Sequence, residues 1–213
     1  MPEFRTEPFI SPLASGLLPE GERDRRVALT SFRTERTTER VPTKEIVCYE
    51  CGKRSNVPSA ALSANCLHCH AHLSMADIEL KPGSPRLTIR TLGDVTVPAE
   101  TVLSHLSVVC GNMTVYGRVS GSFRCAKTLR FHGSMRVEGT VKAARLVVEK
   151  DAEVVLAEGA TVKEATVRGR LTGEVTAKGV IHVERGGQLV SICTAKDIVV
   201  HPGGIYGGDP TRM

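Results

Sequence analysis

Tryptophan is absent, and the chain holds only five Phe and three Tyr. A core built around large rings is therefore excluded, and burial falls to Val, Ile, Leu and Ala. No apolar run approaches the roughly 20 residues a membrane helix needs. The N-terminus lacks a basic stretch followed by a long apolar one, so no signal peptide is expected. Neither sign of charge dominates: the net charge is +5 over 213 residues, which alone does not imply a nucleic-acid partner. The seven cysteines are an odd number. That fits reduced thiols in the cytoplasm better than a disulfide framework. No Ser/His/Asp set or suitably placed carboxylate pair is visible, and a non-enzymatic role is expected.

What is present is a repeat. From about Val115 to Val200 the apolar residues step by four and two: Val119, Phe123, Cys125, Leu129, Phe131, Met135, Val137, Val141, Ala143. Three such sixes make eighteen. Val137 stands eighteen after Val119, and Leu189 eighteen after Leu171. Leu171, Val175, Ala177, Ile181 and Val183 repeat the steps, and Leu189, Cys193, Ala195, Ile198 and Val200 follow a slightly shorter version. A period near eighteen suits one coil of a β-solenoid and is too short for a helix pair. Gly117, Gly121, Gly133, Gly139, Gly169, Gly173 and Gly179 are the expected corners. The section from Val154 to Thr166 departs from the pattern, with an altered corner near Glu158-Gly159, and Val155, Val162 and Val167 fit it less cleanly. The fold class expected is all-β, with about six coils. Cys125 and Cys193 take inward positions and read as small core hydrophobes.

Before the repeat, residues 1–42 mix Pro, Ser, Thr, Glu and Arg without a lasting period and read as a disordered tail. Phe9-Ile10, Leu13 to Leu18 and the Arg-rich stretch Arg23 to Arg40 are candidate docking segments within it. Residues 43–76 carry Cys48-Tyr-Glu-Cys51-Gly52 and Cys66-Leu-His-Cys69. Two such hooks at this separation are the zinc-ribbon arrangement, four thiolates suited to a structural Zn²⁺, with iron as the lesser option. A segment this short needs the metal for much of its stability. One of His68, His70 and His72 is expected to orient a thiolate. Cys66-Leu-His-Cys69-His70 also matches covalent haem attachment, and a thiol–disulfide role is conceivable. The missing export signal disfavours the first and the missing βαβ pattern the second. Residues 77–86, with Lys81-Pro82-Gly83-Ser84-Pro85, read as a hinge. The solenoid is expected over 87–206 and a loose tail over 207–213.

Position five of each six holds large residues (Phe123, Leu129, Met135, Val141), unlike left-handed hexapeptide acyltransferases. Gly117-Arg-Val-Ser-Gly121, Gly139-Thr-Val-Lys-Ala143 and Gly169-Arg-Leu-Thr-Gly173-Glu-Val-Thr-Ala-Lys-Gly179 instead resemble the bactofilin family, over about residues 87–206. The resemblance implies a right-handed parallel β-helix with flexible tails. It also implies cytoskeletal, cytoplasmic filaments assembled end to end without nucleotide, as scaffolds for cell shape or for positioning other proteins.

A solenoid leaves an unpaired strand edge and a bare apolar layer at each end. The expected polymer interface is Leu87 and Ile89, with Val95 beside them, at one end, and Ile198, Val200, Ile205 and Tyr206 at the other. A ribbon folded back over the first coil is the competing arrangement. Cations at eighteen-residue spacing, Arg118 with Arg136, Arg124 with Lys142 and Lys127 with Arg145, predict a basic strip. Its plainer reading is a solvated face; its sharper one is a site for nucleic acid, an acidic protein tail or anionic lipid, with membrane contact left open. The expected role is a self-assembling scaffold whose ribbon contacts a protein partner or cargo. The alternative is a monomeric zinc-ribbon adaptor or nucleic-acid-binding module.

Overall fold

The computed structural model describes residues 41–83, 88–208 and 210–212. All of them lie within one compact unit, Arg40–Met213. The candidate docking segments of the tail, and Leu87, lie outside the described residues.

Two short antiparallel hairpins come first. Thr43–Val47 pairs with Arg54–Pro58, and Ser63–Asn65 pairs with His72–Ser74. A small apolar cluster of Ile46, Val57, Leu73 and Met75 joins them, together with Cys48 and Cys66. From Ile78 onward every strand pairing is parallel, each strand lying on its equivalent one coil earlier. The result is a parallel β-solenoid of about seven turns.

The four-and-two steps of the sequence are the inward positions. Val95, Met113, Leu129, Leu146, Ala165, Ile181 and Ile198 stack into one column. Phe123, Val141, Ala160, Val175 and Cys193 form a second. Met135, Val154, Leu171, Leu189 and Tyr206 form a third. Strands stack about 4.8 Å apart, so like side chains meet face to face and aliphatic residues pack without voids. Cys125 and Cys193 are fully inside this core, as is Cys110, whose Sγ lies 3.3 Å from that of Cys125.

The interval between stacked residues is not constant. It is eighteen from Phe123 to Val141, nineteen from Val141 to Ala160 and fifteen from Ala160 to Val175. The change falls at Gly159, which has φ +81°. Val162 and Val167 are core residues despite their irregular phase, while Val155 is only half-buried. Two glycines show why corners exclude other residues. Gly121 takes φ +140°, with the Leu106 backbone against the place a Cβ would occupy. Gly169 has no unusual φ, but the carbonyls of Glu149 and Ala152 fill its side-chain space.

The start of the solenoid differs from the expectation. Ile78–Glu79 pairs with Asp94–Val97, and Leu80 is buried in the solenoid core. The first strand therefore falls within the proposed hinge, and this accounts for a coil more than the six expected. The first coil is also covered. Leu92 packs into the hairpin cluster, and its N–H donates to the Ser74 carbonyl (2.8 Å). The buried Thr91 hydroxyl donates to the Ala76 carbonyl (2.7 Å), and Arg90 forms an ion pair with Glu50 at the first Cys hook.

Candidate metal centre and assembly surfaces

Each hairpin closes on a Cys hook, and the two hooks have the same local geometry. Gly52 N–H donates to the Cys48 carbonyl and His70 N–H to the Cys66 carbonyl, both at 2.9 Å. The residue after the second Cys of each hook takes positive φ: Gly52 at +70° and His70 at +58°. Gly adopts this conformation without strain; His tolerates it better than most side chains do. Backbone N–H groups inside each hook point at the first sulfur. Glu50 and Cys51 donate to Cys48 Sγ (3.4 and 3.5 Å), and His68 donates to Cys66 Sγ (3.5 Å).

These turns bring the Sγ atoms of Cys48, Cys51, Cys66 and Cys69 within 4.8 Å of one another. Cys48 and Cys69 are 3.7 Å apart, and Cys51 and Cys66 3.6 Å. Four sulfurs placed tetrahedrally about 2.3 Å from a Zn²⁺ stand about 3.8 Å apart, so the set fits that ion. Crowding splits the thiols. The N–H groups of Cys69 and His68 lower Cys66 to about 6. The Ala71 N–H also lowers Cys69, but burial and the three neighbouring sulfurs outweigh it and push Cys69 up to about 12. A bound dication would relieve that conflict by favouring thiolate at all four positions. The histidine expectation is corrected: His68 reaches a sulfur through its backbone N–H, and the side chains of His68, His70 and His72 are exposed. Tyr49 was not anticipated. Its hydroxyl donates to the His72 carbonyl at 2.7 Å and ties the first hook to the second hairpin.

The two ends of the solenoid are unlike. At the N-terminal end Ile89 is 3% exposed and Val95 1%, so neither is a bare end layer as expected. Ile78 lies over Val95 in register, Leu80 joins Ile89 and Val95 in one core cluster, and the hairpin exit at 74–76 bonds to Thr91 and Leu92 just beyond Ile89. At the C-terminal end, Ile205–Tyr206 and Pro210–Arg212 overlay two sides of the last full coil. The third side, 197–200, has no strand over it among the described residues. Val200 is 43% and Ile205 57% exposed, while Ile198 and Tyr206 are partly buried against the core.

Residues 82–158 match the bactofilin family model, described as polymer-forming cytoskeletal. Residues 82–158 carry a bactofilin domain. No curated protein and no solved structure matches the chain. The bactofilin match ends at the altered corner before Gly159, yet parallel pairing carries the same solenoid on to Arg212. Bactofilins are a structural, cytoskeletal family rather than an enzyme family. No helix among the described residues is long and apolar enough to cross a membrane.

The predicted basic strip is rearranged. Arg124 does lie opposite Lys142 in register. A bulge between Cys125 and Thr128 puts Thr128, not Lys127, opposite Arg145. Arg145 is paired with Glu164 (3.3 Å) and Arg136 with Glu138 (3.6 Å). Arg118 lies opposite Val102 and Arg136 opposite Val155, in strand segments apart from the Arg124–Lys142 pair.

Proposed function

We propose that the protein is a cytoplasmic, non-enzymatic cytoskeletal scaffold that self-assembles end to end into filaments without nucleotide. The observation that carries this reading is the open C-terminal end of a solenoid whose residues 82–158 match a polymer-forming family. There Val200 and Ile205 remain exposed beside a side of the coil that no strand covers among the described residues. Apolar side chains and unpaired strand groups at one place favour burial against another chain. The nucleotide-independent part rests on the absence of any need for it: burial and strand pairing supply the driving force.

In the same reading Cys48, Cys51, Cys66 and Cys69 hold a structural Zn²⁺. The ion would stabilise two hairpins whose own apolar cluster is too small to do so. Four protein ligands leave no open coordination position, so the centre is structural rather than catalytic. The ribbon covers the first coil and turns its exposed hairpins towards a protein partner or cargo.

The covered N-terminal end favours one competing reading, a monomeric or dimeric ribbon adaptor in which only one end is adhesive. Negative-stain microscopy and sedimentation of the full chain, with metal analysis of the same sample, separate the two. Nucleotide-free filaments with one zinc per chain support the scaffold; a sharp monomer or dimer boundary supports the adaptor.

A further inference from the structure

Several charges on this solenoid are balanced from coil to coil. Glu149 pairs with both Arg130 (3.5 Å) and Arg168 (3.2 Å), Glu153 pairs with Arg170 (3.7 Å) and Glu164 with Arg145 (3.3 Å). Arg118, Lys150 and Arg185 stand without an ion pair among the described residues, but one corner gathers unpaired cations over consecutive coils. Exposed Arg124, Lys127, Lys142, Lys163 and Lys178 have no ion pair among the described residues. Arg124 sits directly over Lys142 in the parallel register, a like-charge stack one strand spacing apart that costs stability.

The same corner is hollow. Ala126 and Ala144 stand where the later coils carry Lys163 and Lys178, each the residue after an inward position in register. The small side chains leave two adjoining open depressions of about 350 and 260 Å³, with Ala126 and Ala144 lining both. Arg124, Lys142, Lys163 and Lys178 line the second and Lys127 the first; Glu164, the sole acidic residue lining either, is engaged by Arg145.

We infer that this corner is a phosphate-backbone binding surface for nucleic acid, contacted without reading base sequence. Its cations rise along the rod over consecutive coils, a spacing that follows a repeating polyanion better than an isolated anion. No exposed large apolar side chain lies at this corner, which disfavours insertion into a lipid surface. The strand segments that enter this corner, 123–125, 141–143 and 160–162, are already paired on both sides, so an acidic peptide has no strand edge to join. Phosphate contacts need only positioned cations, and no Phe, Tyr or Trp lines either depression to stack on bases. This inference is independent of end-to-end assembly.

The test is fluorescence anisotropy of the full chain with labelled duplex DNA of two unrelated sequences over a salt series. Both sequences bind alike. With four phosphate contacts the log–log slope is about −3.6, roughly a 100-fold loss of affinity between about 50 and 200 mM salt. Arg124→Glu/Lys142→Glu weakens binding at least tenfold and lowers the slope by about 2. The gentler Lys163→Gln/Lys178→Gln does the same in direction and guards against a folding artefact. Lys150→Glu/Arg185→Glu, an equal charge change at another corner, leaves binding near wild type. All three variants sediment as wild type, which separates loss of DNA from loss of assembly. The inference is overturned by no DNA binding at low salt, or by equal loss in the control. It is also overturned if poly-glutamate or phosphatidylserine vesicles bind in a strip-dependent way and DNA does not.

Discussion

Reversing the apolar character of the C-terminal end should dissolve assemblies without unfolding the chain. The perturbation is Val200→Lys combined with Ile205→Arg. Complete burial of a Val or Ile side chain is worth about 1.5–3 kcal/mol. Val200 and Ile205 are 43% and 57% exposed, so about half of that remains to be gained at each. Together they contribute about 1.5–3 kcal/mol to a contact that covers them. At 1.4 kcal/mol per factor of ten, their loss weakens association about 10- to 100-fold, before repulsion between the new charges is counted. The fold should tolerate the change, because both side chains already reach solvent and surface substitutions are usually worth under about 0.5 kcal/mol. Sedimentation velocity over a concentration series reads the association, and circular dichroism reads the β content. Assembly of the variant at the wild-type concentration, with β content unchanged, would refute this end as the contact.

Other expectations follow from the same architecture. Removing metal with a chelator, or Cys66→Ser, should raise hydrogen exchange across 43–76 and at 88–93, where Leu92 enters the hairpin cluster, while 171–195 stays protected. Leu146→Ala removes a fully buried side chain from the central column and should destabilise the protein by about 2–5 kcal/mol in denaturant melts. Thiol labelling of metal-free protein should modify exposed Cys51 quickly and exposed Cys69 more slowly, because burial and the neighbouring sulfurs hold Cys69 protonated. Cys110, Cys125 and Cys193 should react only on unfolding: all three are buried, Cys125 is pushed up by its neighbour Cys110 and by burial, and Cys193 by burial.

The solenoid was legible because one period controls most inward residues, those around 160–167 excepted. Phe123, Leu129, Leu171 and Ile181 are core for the same reason, and none needs a distant contact to explain it. The four sulfurs were legible because hook spacing alone sets the turn. What escaped was of two kinds. The cap on the first coil depends on Leu92 meeting a hairpin some twenty residues earlier, a contact that no local pattern announces. The Pro82-Gly83 signal likewise obscured the two-residue strand Ile78–Glu79 just before it. The basic corner escaped through phase. Lys163 follows Ala144 by nineteen and Lys178 follows Lys163 by fifteen, so a fixed step of eighteen passes over both. The bulge after Cys125 similarly undid the pairing of Lys127 with Arg145.

Fibre diffraction from oriented assemblies of the metal-loaded chain tests the central claim most directly. Rods joined end to end keep their strands across the filament axis, which predicts a meridional reflection near 4.8 Å. The same spacing on the equator, or no assemblies to orient, would contradict the account.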